Sequence, residues 1–167
     1  AAPIGHSLAA HRCGATVVVM ERFDPEAVLR AIEYHRVTHV QFVPTMMIRL
    51  LRLPAEVRAR YDLSSLRCVF HAAAPCPLDV KRAMIEWLGP IVSEYYAASE
   101  ANGITVITAP EWLERPGSVG RVVAGGCAVR RRVRVASAGR RVHHRPTRSG
   151  GCAVLLATLG RLLHLAG

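Results

Sequence analysis

Short apolar runs alternate with amphipathic segments through the first two thirds of the chain. β-Branched and aromatic residues are concentrated in runs of four to six residues, which is typical of buried strands. These runs are 15–20, 38–43, 68–71 and 91–96. Between them, apolar residues recur at helical spacing, which predicts helices that begin near Pro25, Pro44 and Pro77. The alternation predicts an α/β fold with a parallel sheet.

Local signals mark the ends of several predicted elements. Asp24 followed by Pro25 predicts a helix start, because a carboxylate can accept a backbone hydrogen bond and proline suits the first helical position. A Gly89-Pro90 pair ends the helix that begins at Pro77. A further β-branched run at 104–107 predicts a fifth strand.

Charge divides the chain into two parts. The chain holds 22 Lys and Arg against 12 Asp and Glu, and every acidic residue lies at or before Glu114. The net charge of +10 therefore belongs to the last third, which is rich in Arg, Ala, Gly and Val. A change of this kind marks a boundary. Within that tail, the leucine pairs at 155–156 and 162–163 predict a weak helix that Gly160 interrupts.

The five cysteines are odd in number and widely spaced, and residues 1–11 lack the pattern of a secretory signal. These features predict reduced thiols and a cytoplasmic location. No apolar run reaches the length of a bilayer span, so we expect no transmembrane segment. A zinc site at Cys68, His71 and Cys76 is an alternative to buried thiols, but its spacing matches no common zinc pattern.

Two of the predicted strands run directly into small residues. His71 is followed by three alanines and Pro75, and Tyr96 is followed by Ala97, Ala98, Ser99 and Glu100. Ligands of parallel α/β sheets bind outside the carboxyl ends of the strands, where small side chains let a ligand approach the backbone. These two strand ends are therefore the candidate binding site.

Several segments, in this order and at this spacing, resemble fatty acyl-CoA synthetases of the AMP-binding, adenylate-forming enzyme superfamily. They are Val19-Met-Glu-Arg-Phe-Asp24, Gln41-Phe-Val-Pro-Thr45, Tyr61-Asp-Leu-Ser-Ser-Leu-Arg67, His71-Ala-Ala-Ala-Pro75, Glu94-Tyr-Tyr-Ala-Ala-Ser-Glu100 and Pro116-Gly-Ser-Val-Gly-Arg121. The resemblance implies that residues 1–121 are a partial AMP-binding domain, an internal fragment of the parallel-sheet N-terminal domain. Residues 122–167 are then an irregular, Arg-rich tail.

The resemblance also implies a ligase activity in fatty acid metabolism. Enzymes of this kind join a carboxylic acid to ATP, which gives an acyl-adenylate and pyrophosphate, and coenzyme A then displaces AMP. The implied ligands are the acid, ATP or AMP, Mg²⁺ and coenzyme A. Such chemistry needs phosphates held by charge, a metal ion and a dry slot for the acyl chain.

Site residues carry over by matching the family's Tyr-Gly-x-Thr-Glu motif to residues 96–100. By that match Tyr96 packs on the adenine, Ser99 hydrogen-bonds the phosphate and Glu100 holds Mg²⁺, so Ser99 and Glu100 are the catalytic candidates. Ala97 replaces a glycine, which crowds the backbone if that position needs a positive φ.

Two further sets of residues carry over from the same resemblance. The backbone of Ala73, Ala74 and Pro75 is expected to line the nucleotide site. The residues expected to border the acyl pocket are Val43, Thr45, Met46 and His71. For the first three, plain core packing is the competing interpretation.

Several parts of the family's machinery are missing from this sequence. There is no phosphate loop that ends in Pro-Lys-Gly, no Thr-Gly-Asp and no small C-terminal domain with its catalytic lysine. We therefore expect the chain alone to be inactive and to need the remainder of the synthetase as its partner.

Two hypotheses address the tail. An out-of-frame translation of a GC-rich gene from about residue 126 accounts for its composition. Alternatively, the chain is a non-catalytic basic protein that binds nucleic acid or other polyanions through nine arginines in 121–148. No aromatic residue follows Trp112 to stack on bases, so we expect no specific nucleic-acid partner.

Overall fold

The computed structural model describes residues 2–97, 103–123 and 153–157 of the chain. Its helices are α1 (Ala2–Arg12), α2 (Pro25–His35), α3 (Pro44–Leu51), α4 (Ala55–Arg58), α5 (Leu78–Leu88) and α6 (Ala109–Glu114). Its strands are β1 (Thr16–Met20), β2 (His39–Phe42), β3 (Cys68–His71), β4 (Val92–Ala97), β5 (Ile104–Ile107), β6 (Arg121–Val122) and β7 (Ala153–Ala157).

The strands form one sheet with the order β1-β7-β2-β3-β4-β5-β6. The first five strands in this order are parallel, which confirms the predicted α/β class. In the adjacent strands β3 and β4, His71 is the register partner of Glu94. The carboxyl ends of these two strands therefore lie side by side at one edge of the sheet.

Strand β5 departs from the parallel arrangement. It pairs antiparallel with β4, and β6 pairs antiparallel with β5. Gly120 begins the approach to β6 with a φ of 86°, and a Cβ built there would lie 2.0 Å from the Val106 carbonyl oxygen. Only glycine fits this contact, so the segment before β6 packs directly on the backbone of β5.

Residues 153–157 form a strand where the leucine pattern predicted a weak helix. Strand β7 lies between β1 and β2 and is parallel to both. The periodicity of a short apolar run is compatible with either element. Here the strand is formed because the backbone of β7 pairs with β1 on one side and with β2 on the other.

The hydrophobic core lies between one face of the sheet and the helices α2, α3, α5 and α6. Its members share nearly complete burial, as in Val28, Ile32, Val40, Phe42, Met47, Leu50, Val69, Met84, Val92 and Trp112. On the opposite face, the His6 ring of α1 contacts the Tyr95 ring at a centroid distance of 5.9 Å. The two faces follow from the alternation of side chains along each strand.

The predicted start of α2 is confirmed in detail. Asp24 Oδ1 accepts a hydrogen bond from the Ala27 amide at 2.8 Å, and Pro25 occupies the first turn. The helix ends at His35, and its C-cap residue Arg36 adopts a left-handed conformation with a φ of 51°. The Arg36 guanidinium then pairs with the Asp62 carboxylate at 2.9 Å.

Candidate active site

The ends of β3 and β4 open into a single cleft of about 290 Å³. Ala72 to Cys76, which follow β3, line it together with Glu94 to Ala97 of β4. Trp112 of α6 and the segment 117–119 complete the described lining. The two strand ends selected from the sequence therefore meet in one place.

Five of the predicted nucleotide-site residues line this cleft: Ala73, Ala74, Pro75, Tyr96 and Ala97. Ser99 and Glu100 lie outside the described residues. Their expected contacts with phosphate and Mg²⁺ stay predictions.

Backbone strain in the cleft is found at Ala73 rather than at Ala97. Ala73 has a φ of 78°, a conformation that favours glycine. Among the described residues other than glycine, only Arg36 shares a positive φ. The expected crowding at Ala97 is therefore not found, and the strained turn follows β3 instead. The turn leaves both Ala73 and Ala74 exposed in the cleft.

The Tyr96 side chain stands at the mouth of the cleft and is 63% exposed. An exposed aromatic ring beside short side chains offers a flat surface on which a planar ligand can stack. The described lining therefore fits a nucleobase. It does not offer a free carboxylate for Mg²⁺, because Glu94 is already paired with a lysine.

The four predicted acyl-pocket residues fall into two groups. Val43 is the N-cap of α3, Thr45 and Met46 lie in its first turn, and none of them is among the described residues that line the cleft. Met46 packs against the hydrophobic core. His71, at the end of β3, is fully buried beneath the cleft, with Nε2 at 3.5 Å from Glu94 Oε2.

A buried ion pair beneath the cleft is absent from the sequence predictions. Lys81 of α5 is 0% exposed, and its Nζ donates a hydrogen bond to Glu94 Oε2 at 2.5 Å. The same Nζ lies 4.9 Å from the centre of the Trp112 ring. The sequence gives one signal that Lys81 is buried: its helical spacing places it on the same face of α5 as the apolar residues Met84 and Ile85.

Burial governs the protonation of this cluster. Desolvation, helped by the nearby Lys81 charge, lowers the pKa of His71 to about 4, so its imidazole is neutral at pH 7. Desolvation, with Glu94 as the next cause, raises the pKa of the Cys76 thiol to about 11. Desolvation also lowers the pKa of Lys81, although the hydrogen bond to Glu94 opposes this shift.

The thiols of Cys13, Cys68 and Cys76 are free. Within the described residues, no group of three or more His, Cys, Asp or Glu side chains is placed to hold a metal ion. The zinc alternative at Cys68, His71 and Cys76 therefore gains no support from the geometry.

A sequence model of the family described as AMP-binding enzyme matches residues 3–142. The chain belongs to the AMP-binding enzyme family. The match runs past residue 121, and the predicted division of the chain into residues 1–121 and 122–167 stays a prediction. The solved structure described next supports the assigned fold class.

Two curated relatives and one solved structure illustrate the family. The chain is 37% identical over 94 residues to 4-coumarate–CoA ligase 1 from Oryza sativa subsp. japonica, covering 56% of this chain and 16% of the relative. It is 35% identical over 113 residues to 2-succinylbenzoate–CoA ligase from Bacillus pumilus, covering 67% and 22%. O-succinylbenzoate coenzyme A synthetase from Bacillus subtilis, solved in complex with ATP and magnesium ion, superposes with a TM-score of 0.57 at 29% identity, covering 66% and 22%.

The chain spans 16% and 22% of the length of the two curated relatives. Their names specify different acids, so the family is shown while the predicted fatty acyl substrate is not. The comparisons do not support the alternative of a basic nucleic-acid-binding protein. Among the helices of the described residues, none has the length and apolar character to cross a bilayer.

Proposed function

We propose that this chain supplies part of the adenylate site of an ATP-dependent acid–CoA ligase. The complete enzyme would join a carboxylic acid to AMP and then transfer the acyl group to coenzyme A. The observation that carries the proposal is the meeting of Ala73, Ala74 and Tyr96 in one cleft at the carboxyl edge of a parallel sheet. The family assignment supports it.

The proposed roles divide along the cleft. Tyr96 stacks on the adenine, and the short side chains of Ala73 and Ala74 let the backbone approach the nucleotide. Ser99 hydrogen-bonds the phosphate and Glu100 holds Mg²⁺, because hydroxyl donors and hard carboxylate oxygens suit these ligands. When bound, the metal supplies charge stabilisation to the phosphates.

The acid is proposed to be a fatty or related carboxylic acid. Val43, Thr45 and Met46 follow β2, the neighbour of β3 in the parallel sheet, so they lie at the same edge as the cleft. An acyl group that leaves the adenylate toward β2 would pass these residues above the buried His71. An ATP–pyrophosphate exchange assay with a panel of acids tests the substrate, and we expect no exchange from residues 1–167 alone.

Nucleotide binding tests the proposed site more directly. We expect AMP to bind the wild-type chain and Tyr96→Ser to weaken its affinity about tenfold, because stacking of a base on an aromatic ring contributes about 1–3 kcal/mol. Equilibrium dialysis with labelled AMP measures both affinities.

Tyr34→Ser is the matched control for this experiment. Tyr34 is 80% exposed on α2 and is not among the described cleft residues. Its replacement should leave AMP affinity unchanged. Equal losses in the Tyr96 and Tyr34 variants, or no AMP binding by the wild-type chain, would contradict the proposed function.

A further inference from the structure

Lys81 is the only lysine in the chain, and it is fully buried. Lysine is almost never found in this state without a partner. Its helix α5 presents Lys81, Met84 and Ile85 to the interior, so an ammonium occupies a position that an apolar side chain could fill.

The partner of Lys81 belongs to the cleft. Glu94 Oε2 accepts the hydrogen bond from Lys81 Nζ at 2.5 Å, and Glu94 also lines the cleft. Trp112, whose ring faces the same ammonium at 4.9 Å, lines the cleft as well. Lys81 itself is not among the described lining residues. The ammonium thus lies behind the wall that a ligand would touch.

Among the described residues, two titratable groups besides Glu94 interact with Lys81, and both are uncharged at pH 7. His71, on β3, is neutral because burial lowers its pKa to about 4. Cys76, on the loop after β3, is a neutral thiol because burial raises its pKa to about 11. Lys81 is therefore the cation that balances the Glu94 carboxylate in this cluster.

We propose that Lys81 is a positioning residue that holds Glu94 and cancels its charge, so that the cleft wall does not repel an anionic ligand. This inference rests on the proposed function, because the phosphate of an adenylate is the anion concerned. An unbalanced carboxylate in a partly desolvated wall would act on a phosphate several ångströms away with little screening. A purely structural role does not require the pair, since well-packed apolar residues commonly replace buried ion pairs without loss of stability.

The test compares a charged ligand with an uncharged one on the complete chain. Lys81→Met should weaken AMP binding about tenfold and adenosine binding less than about twofold, because only AMP carries phosphate charge. Isothermal titration calorimetry with each ligand gives the ratio of the two affinities. A loss that is equal for AMP and adenosine, or no loss for either, would overturn the proposal.

Two further variants protect this comparison. Lys81→Met combined with Glu94→Gln removes both charges, so the AMP-to-adenosine ratio should return to within about twofold of the wild-type value even if Lys81→Met alone folds poorly. Arg82→Met removes a charge from the neighbouring, exposed position of α5 and should leave the ratio unchanged. A double variant that keeps the ratio of Lys81→Met would contradict the role of Glu94.

A readout without nucleotide separates failure of this inference from failure of the proposed function. Because Lys81 is the sole lysine, ¹³C- and ¹⁵N-labelled lysine gives a single side-chain signal to titrate. Glu94→Gln should lower the pKa of Lys81 further, since the ammonium loses its counter-charge and its hydrogen-bond acceptor. An unchanged titration would overturn the charge pairing. If the titration shows the Lys81–Glu94 pair but the wild-type chain does not bind AMP, the proposed function is rejected. The proposed effect of the pair on an anionic ligand is then rejected with it.

Discussion

The apolar core and the polar cluster beneath the cleft lie on the same face of the sheet and are equally well buried. In the core, Val40, Met47 and Leu50 are at most 2% exposed and contact other apolar side chains. In the polar cluster, His71 and Lys81 are 0% exposed and lie on either side of a single carboxylate, that of Glu94. Burial of the apolar side chains stabilises the fold, because it removes apolar surface from water. Burial of the polar side chains costs free energy, because they lose hydration that only a polar or charged partner can replace.

The two regions therefore serve different ends. Removing methylene groups from the core leaves a cavity and costs stability in proportion to its size. Changing the polar cluster alters charge at the wall of the cleft, and its cost depends on which partner is left alone. The comparison teaches that the apolar core supplies the stability of the fold. The polar cluster contributes less stability than apolar packing would, and it fixes the charge at the wall of the cleft.

The largest expected effect lies in the core. Met47→Ala should lower the free energy of unfolding by roughly 2–5 kcal/mol, because Met47 is 0% exposed. Urea unfolding of residues 1–167 measures the change. Met46→Ala is the matched control, since the neighbouring methionine is only half-buried and should cost clearly less. Equal losses at the two positions would contradict the assigned core.

The next effect belongs to the cluster and depends on pH. His71 has a folded-state pKa of about 4 against 6.5 when exposed, so the unfolded chain binds the proton first as the pH falls between these values. The free energy of unfolding should therefore fall by roughly 3 kcal/mol between pH 6.5 and 4 on account of this group. Subtracting the urea-unfolding profile of His71→Leu isolates this contribution from the carboxylates, and identical profiles would show that His71 is not buried in a neutral form.

The smallest effect concerns the strained turn of the cleft. Ala73→Gly should raise the free energy of unfolding by about 0.5–1 kcal/mol, because glycine adopts the φ of 78° without strain. The same substitution at Ala74, which does not share the positive φ, should destabilise the chain by a similar amount through the entropy of the unfolded state. Thermal unfolding of both variants checks that the two changes in stability have opposite signs. A loss of stability at both positions would contradict the assignment of backbone strain to Ala73.

The parallel part of the sheet could be predicted because its strands are short β-branched runs separated by helices with clear N-terminal signals. The Asp24-Pro25 start of α2 is such a signal. The direction of β5 could not be predicted, because an Ile-Thr-Val-Ile run pairs equally well in either direction. The apolar residues of α1 recur with almost no helical periodicity, so the sequence pattern does not predict this helix.

The sequence predicts the position of the cleft but not the charged groups beneath it. Small residues after β3 and β4 mark the two strand ends, and the parallel register brings them together. The Lys81–Glu94 pair joins residues 13 positions apart, on a helix and a strand, and its formation depends on the packing of α5 against β4.

The hypothesis of an out-of-frame tail stays a prediction that sequencing of the coding DNA tests. One intact reading frame, related to family members through residue 167, would reject it.

The contact of one nucleotide with both strand ends is the most direct test of the adenylate cleft. Intermolecular nuclear Overhauser effects can be measured between the adenine protons of AMP and the side chains of residues 1–167. We predict signals to the Tyr96 ring and to the methyl groups of Ala73 and Ala74 in the same complex. Signals to one strand end without the other, or contacts confined to residues outside this cleft, would contradict it.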